Sequence, residues 1–184
     1  MTQGALVLVV GPSGAGKDAL IGAARKALQD DGRFFFPRRV VTRQAFATIE
    51  DHDTLDLETF RRQKLRGAYA LDWEAHGLNY ALPASIDAAL MAGRIVVANV
   101  SRAVIPSAIE KYERCHVFLV TAPIEIRAAR LAGRGRESAE DITQRLAREG
   151  AANPPGILPV IIDNSGTLED GARRFLKALT DLAK

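Results

Sequence analysis

The chain has 184 residues, 47% of them hydrophobic and 26% charged; that is one domain's worth of length, with enough apolar matter for a core under an ordinary polar surface, and it excludes disorder, collagen and coiled coil. Lys and Arg number 25 against 22 Asp and Glu, a net charge of +3, too small an excess to mark a nucleic-acid binder. Cys115 is the single cysteine, which rules out an internal disulfide and a thiolate metal cluster, and the absence of any apolar run near the ~20 residues of a membrane span, or of a basic start to a signal peptide, points to a cytoplasmic protein without a membrane partner.

Taken in chain order, short apolar runs alternate with helical patterns, the mark of a parallel α/β sheet. Residues 6–10 form a continuous apolar run of strand length, followed by a glycine loop and by Leu20, Ala24, Ala27 and Leu28 at helical spacing. Val40 and Val41 make a second strand, ending at Thr42 and Arg43. A helix with Ile86, Ala89 and Leu90 on its apolar face leads through Gly93 into a third strand over 95–100. Residues 117–120 are a fourth, stopped by Pro123, which suits the first turn of a helix carrying Ile126, Ala129 and Arg130. Residues 160–162 are the last strand; Thr167 to Asp170 then cap a closing helix with Ala172, Phe175, Leu176 and Leu179 inward. Two segments break the rhythm. Residues 44–84 are polar and mixed, and residues 127–148 carry arginine at 127, 130, 134, 136, 145 and 148. Both lie between core strands and read as excursions over the ends of the sheet.

Gly11, Pro12, Ser13, Gly14, Ala15, Gly16 and Lys17 follow a strand and open a helix, the context that a phosphate-binding loop requires. Glycines let successive backbone N–H groups converge on one point, at a helix N-terminus whose partial positive charge favours a polyphosphate. Lys17 then reaches the β and γ phosphates. The bland alternative is a glycine turn with a solvated lysine. One position departs from the motif: where a hydroxyl residue would hold Mg²⁺, the chain has Asp18. An acid in a first helical turn is favourable there anyway; a carboxylate oxygen also suits Mg²⁺. Both readings stay open. In the second excursion, Arg134 and Arg145 bracket a capped helix start at Ser138. Guanidinium forks hold phosphate bidentately and neutralise the charge that develops on a transferring phosphoryl group. Arginines interleaved with Gly133 and Gly135 favour a mobile clamp over a solvated basic face.

With these segments in view, the chain resembles the guanylate-kinase-like branch of the nucleoside monophosphate kinases. The resemblance rests on the loop 11–17, Thr42 with Arg43, the run from Asp72 and Trp73 through His76 and Gly77 to Tyr80, Arg130 with Arg134, Arg145 with Leu146, and Asp163 with Asn164. It implies a three-layer P-loop kinase fold with a parallel central sheet, a single kinase domain over 1–184, an acceptor-binding excursion at about 40–84 and an arginine lid at about 123–150. It also implies ATP and Mg²⁺, with Lys17, Arg134 and Arg145 in catalysis, Arg130 and Asn164 at the nucleotide, and Arg43 on the acceptor phosphate. Guanylate kinases carry a second arginine shortly after the first; here that stretch is Gln44, Ala45 and Phe46. The strand end that helps read guanine corresponds to Asn99, Ser101 and Arg102, and Asp72 stands where those kinases have a glutamate. A guanine reader stripped of half its polar contacts discriminates poorly, so the acceptor expected is smaller and more hydroxylated.

Lys17 with Asp18, Arg43 without a second arginine, Trp73 with Tyr80, Asn99 with Ser101 and Arg102, and Arg134 with Arg136 are together similar to the ribose 1,5-bisphosphate phosphokinases of phosphonate catabolism. That resemblance covers nearly the whole chain and accounts for Asp18. It implies ATP-dependent formation of 5-phosphoribosyl 1-diphosphate, a phosphorylated sugar as the partner, and Asp72, Tyr80, Ser101, Arg102 and Arg136 at the acceptor. The rival readings are a kinase of GMP or a related nucleotide and a non-catalytic nucleotide-binding module, against which the intact Lys17 and full arginine lid speak. Trp73 either stacks a substrate or fills the core, Cys115 and His116 read as a structural pair, and Asp163 with Asn164 either lines the adenine or ends a strand in a turn.

Overall fold

A computed structural model describes residues 4–42, 52–75, 77–133, 143, 146 and 156–184. Five parallel strands make the central sheet: β1 (Ala5–Val10), β2 (Phe34–Phe35), β7 (Ile95–Asn99), β8 (Cys115–Thr121) and β9 (Val160–Asp163), in the order β2-β7-β1-β8-β9. β1 is central, with Leu6 opposite Val96 on one side and Cys115 on the other. All six of its residues are buried, as expected of a parallel strand covered on both faces, which is why it reads as an unbroken apolar run rather than an alternating one. Leu6, Leu8 and Val10 pack on one face with α3 (Ser85–Met91) and α4 (Ile105–Lys111). Val7 and Val9 pack on the other with Leu20 and Ala24 of α1 (Lys17–Ala27) and Phe175 and Leu179 of α6 (Leu168–Leu182). Helices on both faces of a parallel sheet make the three-layer α/β architecture. No helix among the described residues is long and apolar enough to cross a membrane.

The sequence reading holds for β1, β7, β8 and β9. It needs correction at the second strand. Val40 and Val41 belong not to the central sheet but to a separate mixed sheet, in which β3 (Arg39–Thr42) runs parallel to β4 (His52–Leu55) and antiparallel to β6 (Leu78–Pro83), itself hairpinned to β5 (Tyr69–Ala75). Phe34 and Phe35 supply the missing edge of the central sheet, paired with Ile95 and Val96. The smaller sheet carries α2 (Leu57–Leu65) on one face, where Phe60 packs on Val40 and Ala81. Its other face turns Leu71, Trp73 and Leu82 into the main core. Asp56 caps α2 by accepting from the Thr59 amide at 2.8 Å. Thr167 caps α6 in the same way, through the Asp170 amide at 3.1 Å. Pro123 stands at the N-cap of α5 (Ile124–Ala132), one position earlier than the sequence suggests.

Candidate active site

The phosphate loop leaves β1 at the carboxyl end of the sheet, where parallel α/β folds hold their ligands. Gly14 (φ +78°) and Gly16 (φ +94°) adopt left-handed backbone. A Cβ on Gly14 would approach the Arg127 carbonyl at 2.7 Å, and one on Gly16 would strike the Asn164 carboxamide. Gly16 is the N-cap of α1 and supplies no side-chain acceptor, so the first amides of the helix face outward as donors for an anion. The Lys17 ammonium lies across the loop, donating to the carbonyls of Gly11 at 2.7 Å and Pro12 at 3.1 Å.

Two side chains singled out for the nucleotide brace this loop from behind. Asn164 is 2% exposed; its Nδ2 donates to the Ala15 carbonyl at 2.7 Å, and its Oδ1 is buried without a hydrogen-bond partner. The Arg130 guanidinium spans three carbonyls, those of Asn164 (2.9 Å), Ala15 (3.4 Å) and Gly166 (3.4 Å). Asp163 ends β9 and accepts from the Ser165 amide and hydroxyl at 3.1 and 2.7 Å. Those bonds, with Arg174 nearby, hold its carboxyl below the usual carboxylate range. The pair Asp163–Asn164 ends β9 in a turn, and its asparagine braces the loop.

Beside the loop, β7 delivers Asn99 to Asp18 across 81 residues of sequence: Asn99 Nδ2 donates to Asp18 Oδ1 at 2.5 Å. Ser101 accepts from the Ala103 amide at 3.3 Å and caps a single 3-10 turn (Arg102–Val104). Arg102 is partly buried, and its Nε is enclosed with no acceptor among the described residues. On the smaller sheet, Tyr80 stacks on Trp73 with centroids 5.6 Å apart and planes 9° from parallel. Trp73 itself is 7% exposed and packs in the core. Thr42 and Asn79 exchange bonds between β3 and β6, with Thr42 Oγ1 accepting from the Asn79 amide at 2.8 Å; this fixes the end of the strand from which Arg43 follows. Asp72 lies opposite Ala81, on the face that α2 covers, and accepts from Lys64 Nζ at 2.5 Å. Arg43, Arg134, Arg136 and Arg145 lie outside the described residues, as do His76 and the helix start at Ser138.

Cys115 and His116 stand at the entry to β8, at the opposite end of the sheet from the phosphate loop. Burial pushes the Cys115 thiol up to about 11 and, with Arg114 close by, pushes His116 down. A protonated thiol and a neutral imidazole are poor nucleophile and acid, which fits a structural pair. Among the described residues no cluster of three His, Cys, Asp or Glu forms a metal cage.

No family model matches the chain. Curated relatives do. A ribose 1,5-bisphosphate phosphokinase PhnN from Chelativorans sp. is 47% identical over 98% of this chain and 87% of its own length, and one from Brucella melitensis is 46% identical over 98% and 94%. The chain belongs to the ribose 1,5-bisphosphate phosphokinase family. It is a kinase, and the class takes a nucleotide substrate. A segment that makes up 29% of a bifunctional ribose 1,5-bisphosphokinase-thymidine phosphorylase from Cupriavidus necator is 46% identical to 96% of this chain. Among solved structures, a guanylate kinase from Anaplasma phagocytophilum superposes with a TM-score of 0.68 over 98% of this chain and 87% of its own, at 19% identity; at that identity the likeness is one of fold.

Sequence reasoning about this ribose 1,5-bisphosphate phosphokinase family member missed three residues of the site's surroundings. Gly171, in the first turns of α6, faces the Asn164 carboxamide so closely that a Cβ would lie 3.0 Å from its Cγ. Lys64 occupies the Asp72 carboxylate. Arg39 lies over the Tyr80 ring, its Cζ 5.8 Å from the centroid. Nothing local marks the first two. Arg39 had a signal: it shares a strand face with Val41 once the strand is begun one residue earlier.

Proposed function

We propose that this chain transfers the γ-phosphoryl group of ATP to the 1-phosphate of ribose 1,5-bisphosphate, giving 5-phosphoribosyl 1-diphosphate and ADP, as a cytoplasmic step of phosphonate catabolism. The reading is carried by the identity of 46–47% over 98% of the chain to enzymes named for that acceptor. An oxygen of the 1-phosphate attacks the γ-phosphorus, and the bond from that phosphorus to the β-bridging oxygen breaks. The nucleophile is already anionic at neutral pH, so no general base is needed; the protein aligns the two phosphates and neutralises charge. Lys17 and the outward amides of the loop serve the donor, while Arg43, Tyr80, Ser101, Arg102 and Arg136 serve the acceptor. Arg102 has an enclosed Nε without a hydrogen-bond partner among the described residues, a donor that suits an anionic acceptor. Asp72 is less suited to read a guanine, because Lys64 already takes one of its oxygens. The acceptor excursion and the arginine lid belong to one kinase domain in this reading. Phosphorus NMR of a reaction with ATP and ribose 1,5-bisphosphate tests it: the 1-phosphate resonance is replaced by the two coupled resonances of a diphosphate ester, and its persistence beside unreacted ATP would contradict the assignment.

Mg²⁺ fits the donor set beside the loop. Asp18 offers a hard carboxylate oxygen next to Lys17, and an ion that keeps waters and phosphate oxygens needs no larger protein cage. When bound there, the ion would neutralise charge on the donor phosphates. Asn99, bonded to Oδ1, orients the carboxylate. Asp18→Asn raises the Mg²⁺ concentration for half-maximal rate by about tenfold, or ~1.4 kcal/mol of weaker binding. An unchanged Mg²⁺ titration with a melt lowered by about 0.3–1 kcal/mol would assign Asp18 to the helix dipole instead.

The lid arginines act on the charge that develops during transfer. Replacing Arg134 or Arg145 by Lys keeps the charge and loses the planar fork, so kcat falls further than the acceptor KM rises. Steady-state kinetics on both variants decide; a change in KM alone would make these arginines ground-state binders.

A further inference from the structure

A phosphate loop binds through backbone N–H groups, so what it can hold depends on how its peptide planes are turned. A trans peptide points its C=O and its N–H in opposite directions. Fixing the carbonyl of one residue therefore aims the amide of the next. The Ala15 carbonyl is fixed twice: Asn164 Nδ2 donates to it at 2.7 Å and the Arg130 guanidinium at 3.4 Å. Those two donors occupy both lone pairs of the oxygen and turn the Gly16 amide away from their side. Arg130 also donates to the carbonyls of Asn164 at 2.9 Å and Gly166 at 3.4 Å, in the turn that joins β9 to α6. One guanidinium thus ties together three pieces of chain far apart in sequence: α5, on which it stands, the loop, and the turn after β9. The same helix meets the loop again one turn earlier, where a Cβ on Gly14 would lie 2.7 Å from the Arg127 carbonyl. A planar fork spans several carbonyls at once; a single ammonium does not.

Resting on the reading that this loop holds the phosphates of the donor, we propose that Arg130 is a positioning residue that acts on those phosphates through the Ala15 peptide and not through the base. The resemblance to nucleotide kinases puts Arg130 at the nucleotide; this role puts it one layer behind, with its terminal nitrogens turned to protein carbonyls. The affinity it supplies is then independent of the base. Adenine can be taken off the ligand and Arg130 still matters.

The test is calorimetric titration of the full chain with ATP and with inorganic tripolyphosphate, which has the phosphates and no base. It is run on the unmodified protein, Arg130→Gln and Arg130→Lys, below the melting temperature of each. Arg130→Gln weakens both ligands by the same factor, about tenfold. Arg130→Lys keeps the charge and loses the fork, and it stays at least about threefold weaker than the unmodified protein for both. Tripolyphosphate affinity in Arg130→Gln within about threefold of the unmodified value overturns the proposal. A loss for ATP more than about threefold larger than for tripolyphosphate also overturns it, because the guanidinium would then touch the base. Full recovery in Arg130→Lys overturns it as well, since charge alone would be acting. If Arg130→Gln does not fold, Arg130→Lys decides by the same threshold of about threefold on tripolyphosphate. Variants that bind both ligands normally refute the role of Arg130 alone. An unmodified chain that binds neither refutes the donor site, and the role of Arg130 with it.

Discussion

Lys17→Ala lowers the rate of phosphoryl transfer by at least ~10²-fold, the scale of removing one preorganised charge from a closed site, and leaves the fold in place. The two halves of that expectation have separate origins. The ammonium lies across the loop on the Gly11 and Pro12 carbonyls, and in the proposed reaction it exchanges them for the γ-phosphate. Those carbonyls can return to water when it is gone, so the melt changes by less than ~1 kcal/mol. Single-turnover rates beside a thermal melt measure both. Near-normal turnover would remove the phosphate loop from the mechanism, and a collapsed melt would make Lys17 a structural residue.

Gly171→Ala is the second large effect, and it acts at a distance from the phosphates. The Asn164 carboxamide is wedged between two glycines: Gly16 at the end of the phosphate loop and Gly171 in α6. A methyl on Gly171 would lie 3.0 Å from Asn164 Cγ and 3.2 Å from Leu20 Cδ2, and Asn164 cannot retreat, because its far side already touches Gly16. Alanine is the better helix former by ~1 kcal/mol, but overpacking costs about 1–3 kcal/mol. Displacing Asn164 also frees the Ala15 carbonyl, whose bond from Nδ2 is 2.7 Å. The net expectation is a melt lower by a few degrees, at about 2–4 °C per kcal/mol for a chain of this size, and a raised KM for ATP. A melt and an ATP KM both unchanged would show that the wedge does not set the loop.

The central strand and the phosphate loop were legible because each leaves a dense local mark. β1 is buried on both faces and so spells an unbroken apolar run, and the loop spells its spacing in glycines. β2 leaves almost none: two phenylalanines become a strand only through pairing with Ile95 and Val96. The smaller sheet was hidden for a related reason. β3 and β4 are only four residues each, and one face of β5 carries Asp72 and Glu74, so the segment reads as polar and mixed, and the pattern of Val40 and Val41 does not tell one sheet from the other. At the site, the residue types are visible in sequence but the meetings are not. Asn99 with Asp18 and Asn164 with Ala15 are contacts that only the crossovers create, and Lys64 meets Asp72 only because the chain turns back between α2 and β5.

The comparison that bears most directly on the whole reading is kcat/KM, by ADP release at fixed ATP and Mg²⁺, for ribose 1,5-bisphosphate against GMP and other monophosphates. On the proposed function, with Asp72 tied to Lys64, the bisphosphate is expected to be favoured by at least ~10²-fold, about 2.7 kcal/mol of transition-state binding. A preference for GMP, or ADP release that no acceptor accelerates, would contradict it.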